Sequence, residues 1–133
     1  MPKQLNVQQV AQAALTAHAE KRLCAQNLDQ HRADPNSSNA FYINDDYPGI
    51  GCAIGVAMDH DTAHFAQNSP GGYEIDRIIA KHPHLLTSDD PEALRKLQRA
   101  HDDWVTSAAA GPGFNIAKRE QEFLTLAKEL AQS

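Results

Sequence analysis

Seven histidines and two cysteines lie in this chain of 133 residues, side chains able to act as bases, nucleophiles or metal ligands. Cys52 opens the apolar stretch 52–58 (CAIGVAM), directly after Gly49-Ile50-Gly51. A thiol at the start of a helical segment can have a lowered pKa, and a nearby histidine can take its proton. His101, followed by Asp102, offers such a base with a carboxylate to orient it. Cys52, His101 and Asp102 are therefore a candidate nucleophile, base and orienter, as in a small thiol hydrolase or transferase. Two features oppose an activated thiolate: acidic surroundings and apolar neighbours both raise a thiol pKa. The competing reading is a small buried Cys52, a His101 hydrogen-bonded in the core, and Asp102 and Asp103 facing water. Cys24 reads as structural.

The other histidines raise metal chemistry. In Asp59-His60-Asp61-Thr62-Ala63-His64, a helix would set His60 and His64 one turn apart on one face, the spacing of paired imidazole ligands. Two histidines are not a full ligand set, and a polar surface turn is the preferred account of them. The His101-Asp102 dipeptide is similar to the pair in the metal-dependent phosphohydrolases named after it, where the metal activates water. Such a site also needs a downstream aspartate, and no Asp follows Asp103. Metal-dependent hydrolysis is thus a second alternative. Gly49-Ile50-Gly51 lacks the GK[ST] or third glycine of a phosphate-cradling loop, so no nucleotide or other cofactor is indicated.

Charge gives the leading functional expectation. The net charge is −5, and it is unevenly placed. Residues 33–76 carry seven acids and no Lys or Arg, whereas the flanking stretches are +2 and 0. Such a segment repels phosphate backbones and attracts basic protein surfaces. Asp45, Asp46, Asp59 and Asp61 are the candidate contact residues for a basic partner; nucleic acid and membrane are not expected partners. No apolar run approaches the ~20 residues of a membrane span. The first residues lack the apolar core of a signal peptide, and two cysteines 28 residues apart form no disulfide framework, so a reducing cytoplasm is expected. The sequence leaves the oligomeric state open.

These residues need elements to hold them. One domain over 1–133 fits the length. The spacing predicts a first helix over about 6–29 with Asn6 as N-cap, and Val7, Val10, Ala11, Ala14, Leu15 and His18 on one face. Stretch 32–40 is a loop, 41–43 a short strand or anchor, and 52–58 a buried helical turn. A short helix over 74–81 presents Ile75, Ile78 and Ile79. Thr87-Ser88-Asp89-Asp90-Pro91-Glu92 is a strong helix start, followed by Leu94, Leu97, His101, Trp104 and Val105 on one face. A last helix, capped by Asn115, carries Ile116, Phe123, Leu124, Ala127 and Leu130. The expected fold is mainly α: a compact bundle of four to five helices with long loops and at most one short two-stranded β element near residues 41–57.

Gly51-Cys52-Ala53-Ile54-Gly55 and Leu97-Gln98-Arg99-Ala100-His101-Asp102, with Phe123-Leu124-Thr125-Leu126-Ala127 near the end, resemble an uncharacterised family of small bacterial and phage proteins. The resemblance covers most of residues 7–130; the long stretch 32–49 departs from it. It implies a phage or mobile-element accessory origin and places Cys52 and His101-Asp102 in one constellation. That constellation is either a catalytic pair or a packing motif, in which Cys52 to Gly55 permits a close approach and His101-Asp102 ties its end.

Overall fold

The computed structural model describes residues 3–27, 42–43, 49–69, 74–110 and 115–132. The described residues contain five helices: α1 (Val7–Ala19), α2 (His60–Gln67), α3 (Ile75–Lys81), α4 (Pro91–Ala110) and α5 (Ile116–Gln132). Two short strands, β1 (Lys3–Leu5) and β2 (Leu86–Ser88), pair in parallel with Lys3 opposite Leu86. Short 3₁₀ turns occupy Cys24–Gln26 and Gly55–Ala57. The fold is mainly α, as expected. Its two-stranded element, however, lies at the junctions into α1 and α4 and not at 41–57, where a single bridge joins Leu23 and Gly51.

Local chemistry sets the helix starts. The Asn6 side chain accepts from the Gln9 N–H at 3.0 Å, and Asp89 accepts from the Val7 N–H at 2.9 Å, so two residues share the positive end of α1. Asp90 accepts from the Ala93 N–H at 3.1 Å and starts α4 behind Pro91. Asp59 caps α2 by accepting from the Thr62 N–H at 2.8 Å.

The first helix stops ten residues before its expected end. Glu20 closes it, Lys21 turns left-handed at φ +59°, and the Arg22 N–H returns to the Ala17 carbonyl at 2.8 Å. The cause is tertiary. The Gly51 N–H reaches the Arg22 carbonyl at 3.1 Å, and the Cys24 N–H reaches the Gly51 carbonyl at 3.0 Å. A left-handed lysine costs roughly 1–2 kcal/mol. Burying Leu23 completely returns roughly 1.5–3 kcal/mol and offsets it.

The long helices make the frame. α5 packs against both α1 and α4. Ala11, Ala14 and Ala17 are fully buried, which lets α1 approach closely. Leu94, Leu97, Trp104 and Val105 of α4 meet Phe123 and Ala127 of α5 in one core, with Ile75, Ile78 and Ile79 of α3 and Ile54 from the central segment. The Trp104 and Phe123 rings lie 5.8 Å apart, and His18 of α1 hydrogen-bonds Glu120 of α5 at 2.8 Å beside Trp104. Among the described residues, no helix is long and apolar enough to cross a membrane.

Candidate functional site

The inner face of α4 carries two completely buried polar side chains one turn apart, Gln98 and His101. Each holds a segment arriving from elsewhere in the chain. Gln98 Oε1 accepts from the Ile75 N–H at 2.9 Å and so caps α3 from outside. Gln98 Nε2 donates to the Tyr42 hydroxyl at 2.7 Å. His101 Nε2 accepts from the Ala25 N–H at 3.3 Å, which leaves its proton on Nδ1. The Leu-Gln-x-x-His-Asp motif is therefore a clamp that ties residues 25, 42 and 75 to one helix. It meets the Cys24–Gln26 turn, not the end of the Cys52 segment.

Cys52 lies within this clamp. It is fully buried, and its Sγ accepts from the Gly55 N–H at 3.3 Å. Burial, reinforced by Asp102, pushes its thiol up to about 12. Burial and then Cys52 likewise push the Tyr42 phenol well above its ordinary value. Asp102 does not simply face water. Its carboxyl is raised by burial, and its Oδ1 lies 3.8 Å from His101 Nδ1, beyond hydrogen-bond length, with neither atom partnered among the described residues. The structure thus gathers Cys52, His101 and Asp102 in one region. It gives them a protonated thiol and a histidine whose only acceptor nitrogen is occupied. The hydrogen-bond partners of the Cys52 sulfur and of His101 Nε2 are backbone amides, those of Gly55 and Ala25.

The glycines explain the Cys-Ala-Ile-Gly segment. The Tyr42 backbone lies across Gly51 and Gly55. A Cβ on Gly51 would come 2.6 Å from the Tyr42 carbonyl oxygen, and one on Gly55 would come 2.7 Å from Tyr42 Cα and closer still to its carbonyl oxygen. Tyr42 is held there at three points, since its own N–H donates to Gln67 Oε1 at 2.7 Å.

His60 and His64 do fall one turn apart on α2, with stacked rings 5.9 Å between centroids. His60 Nδ1 lies 3.5 Å from Asp61 Oδ1, and His64 Nδ1 lies 3.5 Å from Asn68 Nδ2. Among the described residues, no group of three or more His, Cys, Asp or Glu is placed to hold a metal ion.

Of the four candidate acids, Asp45 and Asp46 lie outside the described residues. Asp59 has two structural duties, the α2 cap and an ion pair to Lys3 Nζ at 2.7 Å, which together hold its carboxyl well below the usual range. Asp61 is fully exposed.

The N-terminal half of α2 stands as a ridge between two surface hollows. The first, of about 440 Å³, is walled by Tyr42, Ile43, Ile50, Val56, Met58 and His60, with Arg22 at its edge. Arg22 is already paired with Glu20 at 2.7 Å. The second, of about 460 Å³, has Phe65, Leu85 and Leu86 as its apolar floor and Lys3, Asp59 and Asp61 around it. Leu85, at 49% exposure, is the one large hydrophobic side chain left open to solvent among the described residues. The sequence reading missed these walls and missed Gln98. The apolar Ile50, Val56 and Met58, close after Pro48-Gly49 in sequence, were the available signal.

Compared with protein-family models, with curated proteins and with solved structures, the chain matches none.

Proposed function

We propose that this chain is a non-catalytic binding protein that captures a basic protein segment bearing apolar anchors across the α2 ridge. The observation that carries this reading is the pair of apolar hollows flanking α2, set within or against the segment that has seven acids and no Lys or Arg. Apolar pockets supply affinity, and a rim of one charge sign selects and steers the partner. In the second hollow, a lysine or arginine of the partner would compete with Lys3 for Asp59 and would add Asp61. The buried clamp supports the same reading from the other side, because the side chains with nucleophile or base chemistry are engaged in holding the frame. In the setting implied by the two motifs, a phage or mobile-element accessory factor, the partner is a protein with a basic, apolar surface.

The test uses isotope-labelled full-length protein and two peptides, one alternating Lys and Leu and one alternating Glu and Leu. The Lys-Leu peptide is expected to shift amide resonances of residues 50–65 and 85–86, and the Glu-Leu peptide to leave them in place. Equal response to both peptides, or shifts confined to α5, would overturn the reading.

A further inference from the structure

We propose that β1 is a docking edge: the basic partner segment adds to the β1–β2 pair as an extended third strand, antiparallel to β1. This rests on the binding reading above and gives that partner its conformation. In a parallel pair, alternate residues of a strand turn both N–H and C=O to the neighbouring strand. The Lys3 N–H donates to the Leu85 carbonyl at 3.1 Å, with Lys3 in register with Leu86 and Leu5 with Ser88. Lys3 and Leu5 therefore serve β2, and Gln4 between them turns its N–H and C=O the other way. Gln4 is exposed, and neither of those groups has a hydrogen-bond partner among the described residues. On the far side of β2, the outward Leu86 N–H is already taken by the His82 carbonyl at 3.0 Å. Among the described residues the sheet has two strands, and the edge with unpaired backbone groups is that of β1.

What lies beside that edge selects the occupant. Lys3 and Leu86 both line the second hollow, with Phe65 and the solvent-open Leu85. In a hydrogen-bonded antiparallel rung, the residue opposite Gln4 exchanges both backbone bonds with it. Its two neighbours in the segment then stand opposite Lys3 and Leu5 and face the hollow, because strand side chains alternate. A segment alternating Lys and Leu meets both demands, with lysine opposite Gln4 and leucine over the hollow. Backbone bonds at an edge and a pocket for alternate side chains are the two parts of recognition by strand addition. A two-stranded pair is marginal in water, and a third strand with an apolar face strengthens it. Lys3 guards the edge, since an edge lysine opposes indiscriminate pairing, and its Nζ is held by Asp59 at 2.7 Å. The exposed Asp61 beside the same hollow favours a basic segment over an acidic one.

The experiment uses the full-length protein and three peptides: the alternating Lys-Leu peptide, and the same peptide N-methylated at its lysine amides or at its leucine amides. The lysine amides are those that bond Gln4 in this register, and the leucine amides point to solvent. Saturation with the unmodified peptide is expected to slow hydrogen exchange of the Gln4 amide by about tenfold. Methylation at lysine is expected to weaken binding by about tenfold, the scale of one or two lost hydrogen bonds, and methylation at leucine to leave it little changed. Gln4→Pro removes the outward N–H and keeps the inward bonds of Lys3 and Leu5; it is expected to weaken the peptide by a similar factor, with Gln4→Ala unaffected. The wild-type measurements stand without these variants. A Gln4 amide that exchanges as before while residues 50–65 and 85–86 shift overturns strand addition and leaves the binding reading in place. Equal binding of the two methylated peptides does the same. No response to the Lys-Leu peptide overturns both.

Discussion

Cys52 sits among groups that resist negative charge. Asp102 acts on it through space, the Tyr42 phenol is close enough to be raised by it, and solvent is excluded. The consequence for stability has a definite sign. In the unfolded chain the thiol ionises near its ordinary 9.0, and in the folded protein only near about 12. The contribution is therefore fully present below pH 9 and is lost as pH rises from 9 toward 12, because the unfolded state releases its proton first. Each pH unit in that window costs about 1.4 kcal/mol for one proton. Tyr42, raised in the same direction, adds to the loss at the upper end. Cys52→Ala should lower stability at pH 7 through the small cavity it leaves. It should also flatten the fall in urea-unfolding free energy between pH 9 and pH 10.5 by about one proton's worth. An unchanged slope would mean that the thiol is not held protonated. The same protonation predicts that iodoacetamide leaves Cys52 unmodified in the folded chain at pH 7, which separates a clamp from a catalytic thiol.

At the scale of elements, what holds the site together is a set of short segments pinned to α4, and the pins explain where the sequence could be read. Helices α3, α4 and α5 were legible because their apolar faces are local, and for α4 so is the cap: Asp90 and Pro91 start it, while Ile75, Ile78 and Ile79 of α3 all turn inward. The end of α1 was not legible. Residues 20–26 have helix-forming side chains, and nothing local stops them; the Gly51 bridge, 28 residues from Leu23, does so. The β1–β2 pair was invisible for the same reason, since Lys3 meets Leu86 only after the intervening chain has folded. The candidate site was half legible. The cysteine and the His-Asp pair were found from their types, but their partners are backbone amides of Ala25 and Gly55, which leave no mark in a sequence. Lys21 follows from this balance. Its left-handed backbone is imposed by the bridge, and glycine adopts that conformation without the Cβ penalty. Lys21→Gly is expected to raise unfolding free energy by about 1 kcal/mol; a loss of stability in urea titration would show that the lysine side chain contributes more than its backbone costs.

Over the whole molecule, charge and apolar surface are separated in a way that assigns them different tasks in binding. The frame is close to neutral, while the excess negative charge belongs to residues 33–76, one of whose acids, Glu74, pairs with Arg99 of α4. Around α2 the exposed Asp61 stands at the second hollow and Met58 in the wall of the first. A rim charge acts before contact, through a field that salt screens over about 8–10 Å, and so governs the association rate. A wall side chain acts only after docking and governs dissociation. Asp61→Lys should therefore slow association with the Lys-Leu peptide several-fold and reduce its salt dependence, with little change in dissociation. Met58→Ser should leave association nearly unchanged, since it alters no charge, and speed dissociation at least tenfold, as expected for loss of an apolar wall. Asp59 is the wrong residue for such a test, because its reversal would break the α2 cap and the Lys3 pair together. Stopped-flow association and dissociation rates at two salt concentrations separate the two variants. If both mutations change the same rate constant, the charge and the hollow do not act as separate parts of one surface.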